Sequence, residues 1–250
     1  MISSGEQLQQ QRFQSMMQQP SVGGYGGARA PHLSRSEIDA LTRKTIALDA
    51  FVPDAAVSKR HAHTYASAYN PATGGEDKML ANLITQTHDT KGVEHDFEDL
   101  VALWHTTARK SNFANRVSDA YLFLLENAFI ARAGRLPSAS SDKQTISELD
   151  SGLRNALVKM QVDKGSAFSN AEKQTMFDAL GVLGLIVQAS SGVAGNRVNK
   201  GLVAEARAEA NHELNAFGTS ATDLGGLANL LQQRFTTAVL LNYQTVMALR

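Results

Sequence analysis

The chain has 250 residues, of which 43% are hydrophobic and 19% are charged, and its 24 basic residues are balanced by 24 acidic ones. This length is enough to bury a sizeable core, whereas the zero net charge argues against nucleic-acid binding and no apolar run of about 18 residues exists to span a membrane. The chain contains no cysteine, which excludes disulfides, thiolate metal sites and a cysteine nucleophile.

The first 33 residues differ in composition from the rest of the chain. Seven glutamines lie between Met1 and Gln19, and the glycine-rich run 23–27 follows. Such a composition is typical of a flexible linker. The basic start and apolar stretch of a secretory signal are missing. We therefore expect a flexible Gln/Gly-rich arm over residues 1–33 and a folded domain over residues 34–250.

Apolar residues at three- and four-residue spacings predict helices in the first half of that domain. Ser34 and Glu37 have the spacing of a capping box, which predicts a helix that begins there and continues to Ile46. Pro53 suits the first position of a second helix, because its ring fixes φ near the helical value. Further helices are predicted over residues 76–84, 93–105 and 113–134, the last ending at Gly134.

The second half of the domain shows the same helical period. Ser169 and Glu172 form another capping box. Runs that alternate with period two are short and lack hairpin turns, so no strand pair is predicted. We expect an all-α, single-domain fold of about seven to nine helices. The helices predicted in this half cover residues 146–160, 169–187, 197–217 and 223–249.

One group of side chains has spacing that suits a metal ion. His95, Glu98 and Asp99 share one face of a predicted helix at i+3 and i+4 steps, and His88 lies close in sequence. Imidazole and carboxylate ligands in this pattern are typical of divalent-metal sites. The alternative is a solvated acidic helix face. No nucleophile elbow and no phosphate-binding loop is present.

Charge is segregated along the chain. Residues 76–99 hold seven acids against two lysines, a net charge of −5, and residues 109–135 carry a net charge of +3. Either two neighbouring helices compensate each other within the fold, or complementary surfaces support assembly. The assembly alternative predicts an interaction surface at Arg109, Lys110, Arg116, Arg132 and Arg135.

Three stretches carry a resemblance to a known family. They are Phe51-Val-Pro-Asp54 continuing to Arg60, Asn115-Arg-Val-Ser-Asp-Ala-Tyr121, and Ala171-Glu-Lys-Gln174 with Ala216-Phe-Gly218 to Leu224 downstream. Over about residues 50–228 the chain resembles an uncharacterised bacterial family of predicted exported, all-helical proteins. The resemblance implies a periplasmic or secreted location for a mature chain, with a cytoplasmic location left open, and it implies no catalytic residues.

The leading hypothesis is a non-enzymatic helical binding or assembly protein of the bacterial envelope or exterior. It needs no cofactor, and its partner is another protein or a second copy of the chain. One alternative is a metal-dependent hydrolase or sensor that uses His88, His95, Glu98 and Asp99. Another alternative is a structural component of a phage virion or a secretion machine, which also needs no active site.

Overall fold

A computed structural model describes residues 30–69, 90–134, 142–192, 200–216 and 224–250. Throughout these ranges the regular structure is helical, apart from one isolated antiparallel bridge between Ala50 and Arg116. The predicted all-α fold is confirmed. None of the helices in the described ranges combines the length and the hydrophobicity that a membrane span requires. The expected arm, up to residue 29, and the helix predicted over residues 76–84 lie outside the described residues.

The helices are numbered here in chain order. They are α1 (Arg35–Asp49), α2 (Ala55–Ala68), α3 (Thr90–Lys110), α4 (Val117–Ala133), α5 (Asp142–Lys164), α6 (Asn170–Ser190), α7 (Lys200–Ala216), α8 (Leu224–Leu231), a π-helical turn (Gln232–Thr236), α9 (Thr237–Leu241) and α10 (Tyr243–Ala248). The helices α3 and α5 are longer at both ends than the spacing of their apolar residues predicts.

Local signals in the sequence set several helix ends correctly. Both predicted capping boxes form, one before α1 and one before α6, with reciprocal bonds between the serine and the glutamate. Gly134 ends α4 in the left-handed conformation at φ 69°, which glycine adopts without steric cost. The start of α2 differs from the prediction, because Asp54 rather than Pro53 sets it. The Asp54 side chain accepts a hydrogen bond from the amide of Ala56.

The last predicted helix, residues 223–249, is broken into shorter pieces. A π-helical turn at Gln232–Thr236 interrupts it between α8 and α9. The side-chain amide of Gln232 donates to the Glu148 carbonyl on α5 at 2.7 Å, so this contact with α5 lies at the start of the turn. An inserted π-turn shifts the helix face that follows it, and the apolar period alone does not reveal this.

Helix α4 lies at the centre of the fold. Its residues are buried on nearly every side, and it packs along α6, α7 and α5. Close approach to α6 depends on glycine, because a Cβ atom at Gly184 would lie 2.6 Å from the ring of Phe123. At Gly181 a Cβ atom would lie 2.1 Å from the Trp104 indole. These two glycines let aromatic side chains of α3 and α4 lie directly on the α6 backbone.

Candidate functional site

A buried polar junction joins the end of α1 to the start of α4. Arg116, at the N-cap position of α4, makes no side-chain capping bond. Asp49, the last residue of α1, supplies the missing acceptor: one carboxylate oxygen accepts from the Ser118 amide at 2.9 Å and the other from the Ser118 hydroxyl at 2.6 Å. An acidic group at a helix N-terminus satisfies free amides and stabilises the helix dipole. Asp49 therefore caps α4 from another helix.

Two arginines enclose the carboxylates of this junction. Arg116 binds Asp119 in a bidentate pair, with N···O distances of 3.0 and 2.6 Å. Arg154 binds Asp150 one turn earlier on α5 and reaches Asp49 at 3.4 Å. Bidentate guanidinium pairs are strong and fix orientation. The network thus connects α1, α4 and α5 through side chains that are largely or fully buried.

Burial raises the pKa of two acids in the junction. It raises the pKa of Asp119 to about 6, although the bonds and the charge of Arg116 act in the opposite direction. Burial also raises the pKa of Asp49, against the bonds from Ser118. The Ser118 hydroxyl oxygen lies 2.6 Å from Asp49 and 2.8 Å from Asp150. The Ser118 hydroxyl therefore links a carboxyl group of α1 to one of α5.

The carbonyl end of α1 is held by side chains from later helices. No basic residue lies in its last turn. The Lys173 ammonium of α6 donates to the carbonyls of Ala47 and Ala50 at 3.2 and 2.5 Å, and Gln161 of α5 donates to the Leu48 carbonyl at 3.2 Å. Burial lowers the pKa of Lys173, with the charge of Asp49 acting against that shift. These donors satisfy carbonyls that a helix end leaves free.

The segment between α1 and α2 is held by an amide clamp, formed by Asn170 and Gln174 of α6. The side-chain amide of Asn170 accepts from the Val52 amide and donates to the Val52 carbonyl, both at 2.6 Å. Gln174 binds Asp54 in the same way, at 2.7 and 2.9 Å. The two amides lie one helical turn apart and pair with alternate residues of an extended segment. The backbone of residues 52–54 is therefore fixed at four hydrogen bonds.

Another buried acid, Asp178, lies one turn further along α6. One of its oxygens accepts from the Ser58 hydroxyl at 2.6 Å and the other contacts Nε2 of His105 at 2.7 Å. In a serine-hydrolase triad the histidine lies between the serine and the acid and removes the serine proton. Here the carboxylate lies in the middle, so His105 does not activate Ser58. The arrangement connects α2, α3 and α6.

Parts of the three stretches quoted from the sequence, within residues 51–54, 115–121 and 171–174, lie together beside this junction, whereas residues 217–223 are outside the described residues. The amide of Phe51 donates to the Asn115 carbonyl at 2.9 Å, next to the bridge between Ala50 and Arg116. The stretch 171–174 contributes Lys173 to the end of α1 and Gln174 to the clamp. Short motifs that are far apart in sequence are thus parts of one structural unit.

The residues of the predicted metal site are only partly described. His95 and Asp99 are 73% and 72% exposed and form a pair at 3.9 Å on the surface of α3, with Glu98 half-buried on the same helix. His88 lies outside the described residues. Within the described ranges, no group of three or more histidine and acidic side chains is arranged to hold a metal ion. The four-residue metal site therefore stays a prediction.

The predicted basic surface divides into different environments. Arg109 and Lys110 are exposed in the last turn of α3, where cations stabilise the helix dipole. Arg132 lies over the Phe129 ring at 5.1 Å, and Arg135 lies outside the described residues. Arg116 is largely buried, with 23% exposure, and pairs with Asp119. Its guanidinium belongs to the polar junction, and the five-residue interaction surface stays a prediction.

Sequence reasoning did not find the junction itself. Its long-range bonds connect Asp49 with Ser118 and Lys173 with the end of α1, and these residues lie 69 to 126 positions apart. Two local signals were present. Asp119 follows Arg116 by three positions, and Arg154 follows Asp150 by four. Both spacings are typical of ion pairs on a helix. They indicate pairing, although they do not indicate burial.

No protein-family model matches the chain, and comparisons with curated proteins and with solved structures find no match.

Proposed function

We propose that the protein is a non-enzymatic helical binding or assembly protein of the bacterial envelope or exterior, which binds a second copy of the chain through the surface around Val52. The observation that carries this proposal is the combination of exposure and rigidity at that residue. Its side chain is the most exposed of the large apolar side chains in the described ranges, at 75%, while Asn170 holds its backbone N–H and C=O.

A rigid, exposed apolar side chain favours binding for an entropic reason. Ordering a loop at an interface costs free energy, and a segment that is already fixed avoids most of that cost. Ile46 is 38% exposed on the last turns of α1, six residues before Val52. Ile46 and Val52, which we call the apolar tip, flank the end of α1 in sequence, and Val52 belongs to the clamped segment.

The environment of the buried acids supports a non-enzymatic function. Asp49, Asp119 and Asp178 are at most 2% exposed, and each is engaged by donors of the same chain. A general acid or base must reach a substrate proton within hydrogen-bond distance. These carboxylates instead connect helices. The location at the envelope or exterior rests on the family resemblance alone.

Self-association of the purified chain provides the test. We expect sedimentation velocity to show concentration-dependent oligomers, which Val52→Asp or Ile46→Asp weakens by tenfold or more in Kd. Leu103→Asp is the matched control, because Leu103 is also apolar and 52% exposed, but lies on α3. An apolar contact persists in about 1 M salt, where exposed charges are screened beyond about 3 Å.

Three results would contradict this proposal. They are a wild-type chain that stays monomeric at every concentration, equal weakening by Leu103→Asp, and oligomers that dissociate in high salt. The last result would instead support assembly through the segregated charges of residues 76–99 and 109–135.

A further inference from the structure

An apolar groove opens at the N-terminal end of α1, away from the apolar tip. Its volume is about 500 Å³, and it lies between the segment before α1, the first turn of α1, and α9. Ile38 is 47% exposed at this groove. The groove is lined by Ala30, Pro31, His32, Leu33, Ile38 and Leu240.

The groove wall is continuous in sequence with a long stretch of chain. Residues 30–33 form one side of the groove, and residues 1–29 directly precede them. Any apolar group in that stretch is tethered to the groove, which raises its effective concentration there to the millimolar range for a short linker. Twelve residues lie between Met17 and Ala30, and this stretch of chain spans at most roughly 45 Å, so Met17 can reach back.

The preceding stretch contains one apolar set with the spacing of a groove-binding helix. Phe13, Met16 and Met17 lie at i, i+3 and i+4, which places them on one face of a helix. Amphipathic segments bind apolar grooves through anchors with this spacing. Methionine adapts to irregular apolar surfaces because its side chain is unbranched and flexible. The residues between these anchors are Gln14 and Ser15, which carry no charge.

We propose that Phe13, Met16 and Met17 bind the groove between residues 30–33, α1 and α9 of the same chain. The groove would then be an internal docking site for residues 13–17. This inference is independent of the proposed function, because it uses neither Val52 nor Ile46.

The absence of cysteine makes a direct test possible. A Ser15→Cys variant accepts one spin label, and position 15 lies on the opposite helix face from the three anchors. We expect the label to broaden the methyl NMR signals of Ile38 and Leu240 strongly, and to leave those of Leu103 on α3 unchanged. The matched control carries the same label with Phe13, Met16 and Met17 replaced by serine, and we expect the broadening to be lost.

A mixed sample tests whether the contact is within one chain. Spin-labelled protein without isotopes is mixed with isotope-labelled protein without a spin label, and we expect no broadening. Broadening in the mixture would show binding to a second copy and overturn the proposal. It is equally overturned if Ile38 and Leu240 keep their intensity in the labelled chain, or if the serine control broadens them to the same extent. Loss of self-association in Val52→Asp would leave all of these results unchanged.

Discussion

Asp49 and Ser118 connect the end of α1 to the beginning of α4 by two hydrogen bonds, of 2.9 and 2.6 Å. The carboxylate has no exposed surface. It stabilises the N-terminus of the central helix, which has no side-chain cap of its own. The orientation of α1 against the core therefore depends on this contact, as does the path of the clamped segment that follows it.

Replacing Asp49 should strongly destabilise the protein. In Asp49→Ala the Ser118 amide and the Arg154 guanidinium lose a buried acceptor, and breaking a buried ion pair costs about 3–5 kcal/mol. Asp49→Asn keeps an acceptor oxygen for Ser118, so we expect a smaller loss. Urea unfolding followed by the fluorescence of Trp104, the single tryptophan, measures both free energies of unfolding.

The matched control for Asp49→Ala is Asp163→Ala. Asp163 also pairs with a basic residue, Lys159, but its side chain is 48% exposed. Exposed ion pairs contribute about 0–1 kcal/mol. Equal losses of stability in Asp49→Ala and Asp163→Ala would contradict the capping role of Asp49.

The pKa of Asp119 predicts a dependence of stability on pH. Burial raises this pKa from 3.8 to about 6, so in this range the folded state binds more protons than the unfolded state. The contribution of Asp119 to the free energy of unfolding therefore falls as pH rises from about 4 to about 6. Asp119→Asn removes this contribution. As pH rises through this range, the free energy of unfolding of Asp119→Asn should therefore increase relative to that of the wild type, by at most about 3 kcal/mol.

Urea titrations at pH 4, 5, 6 and 7 measure that difference directly. Asp163→Asn, which changes a half-exposed carboxylate, is the reference against which the change at Asp119 is measured. A shift of the opposite sign would mean that the pair with Arg116 outweighs burial, so that the pKa of Asp119 lies below its usual range.

The sequence predicted the helical class and several helix ends because their causes are local. A capping box needs residues three positions apart, and Gly134 ends α4 by its own conformation. The polar junction has causes that are distant in sequence. Lys173 satisfies carbonyls at the end of α1, and nothing in a local window shows which helix end a lysine will reach.

Arg116 shows what a sum of charges leaves out. Asp119 lies one helical turn away and binds it at 2.6 Å. The two charges cancel in the net charge of residues 109–135, and the sum does not show whether the pair is buried. Burial of the pair depends on the packing of α1 and α5 over the start of α4. The periodicity of a single helix does not indicate this packing.

The amide clamp predicts separate, residue-specific effects on backbone exchange. In Asn170→Ala the Val52 amide loses its acceptor, and in Gln174→Ala the Asp54 amide loses its acceptor. Because a hydrogen bond contributes about 1 kcal/mol net, we expect hydrogen exchange at the affected amide to accelerate about five- to tenfold.

Each variant is the control for the other, since the Val52 amide should keep most of its protection in Gln174→Ala. Hydrogen exchange followed by NMR resolves the two amides. Equal acceleration at Val52 and Asp54 in both variants would show that the segment opens as one unit, and a rigid apolar tip would then lose its structural basis.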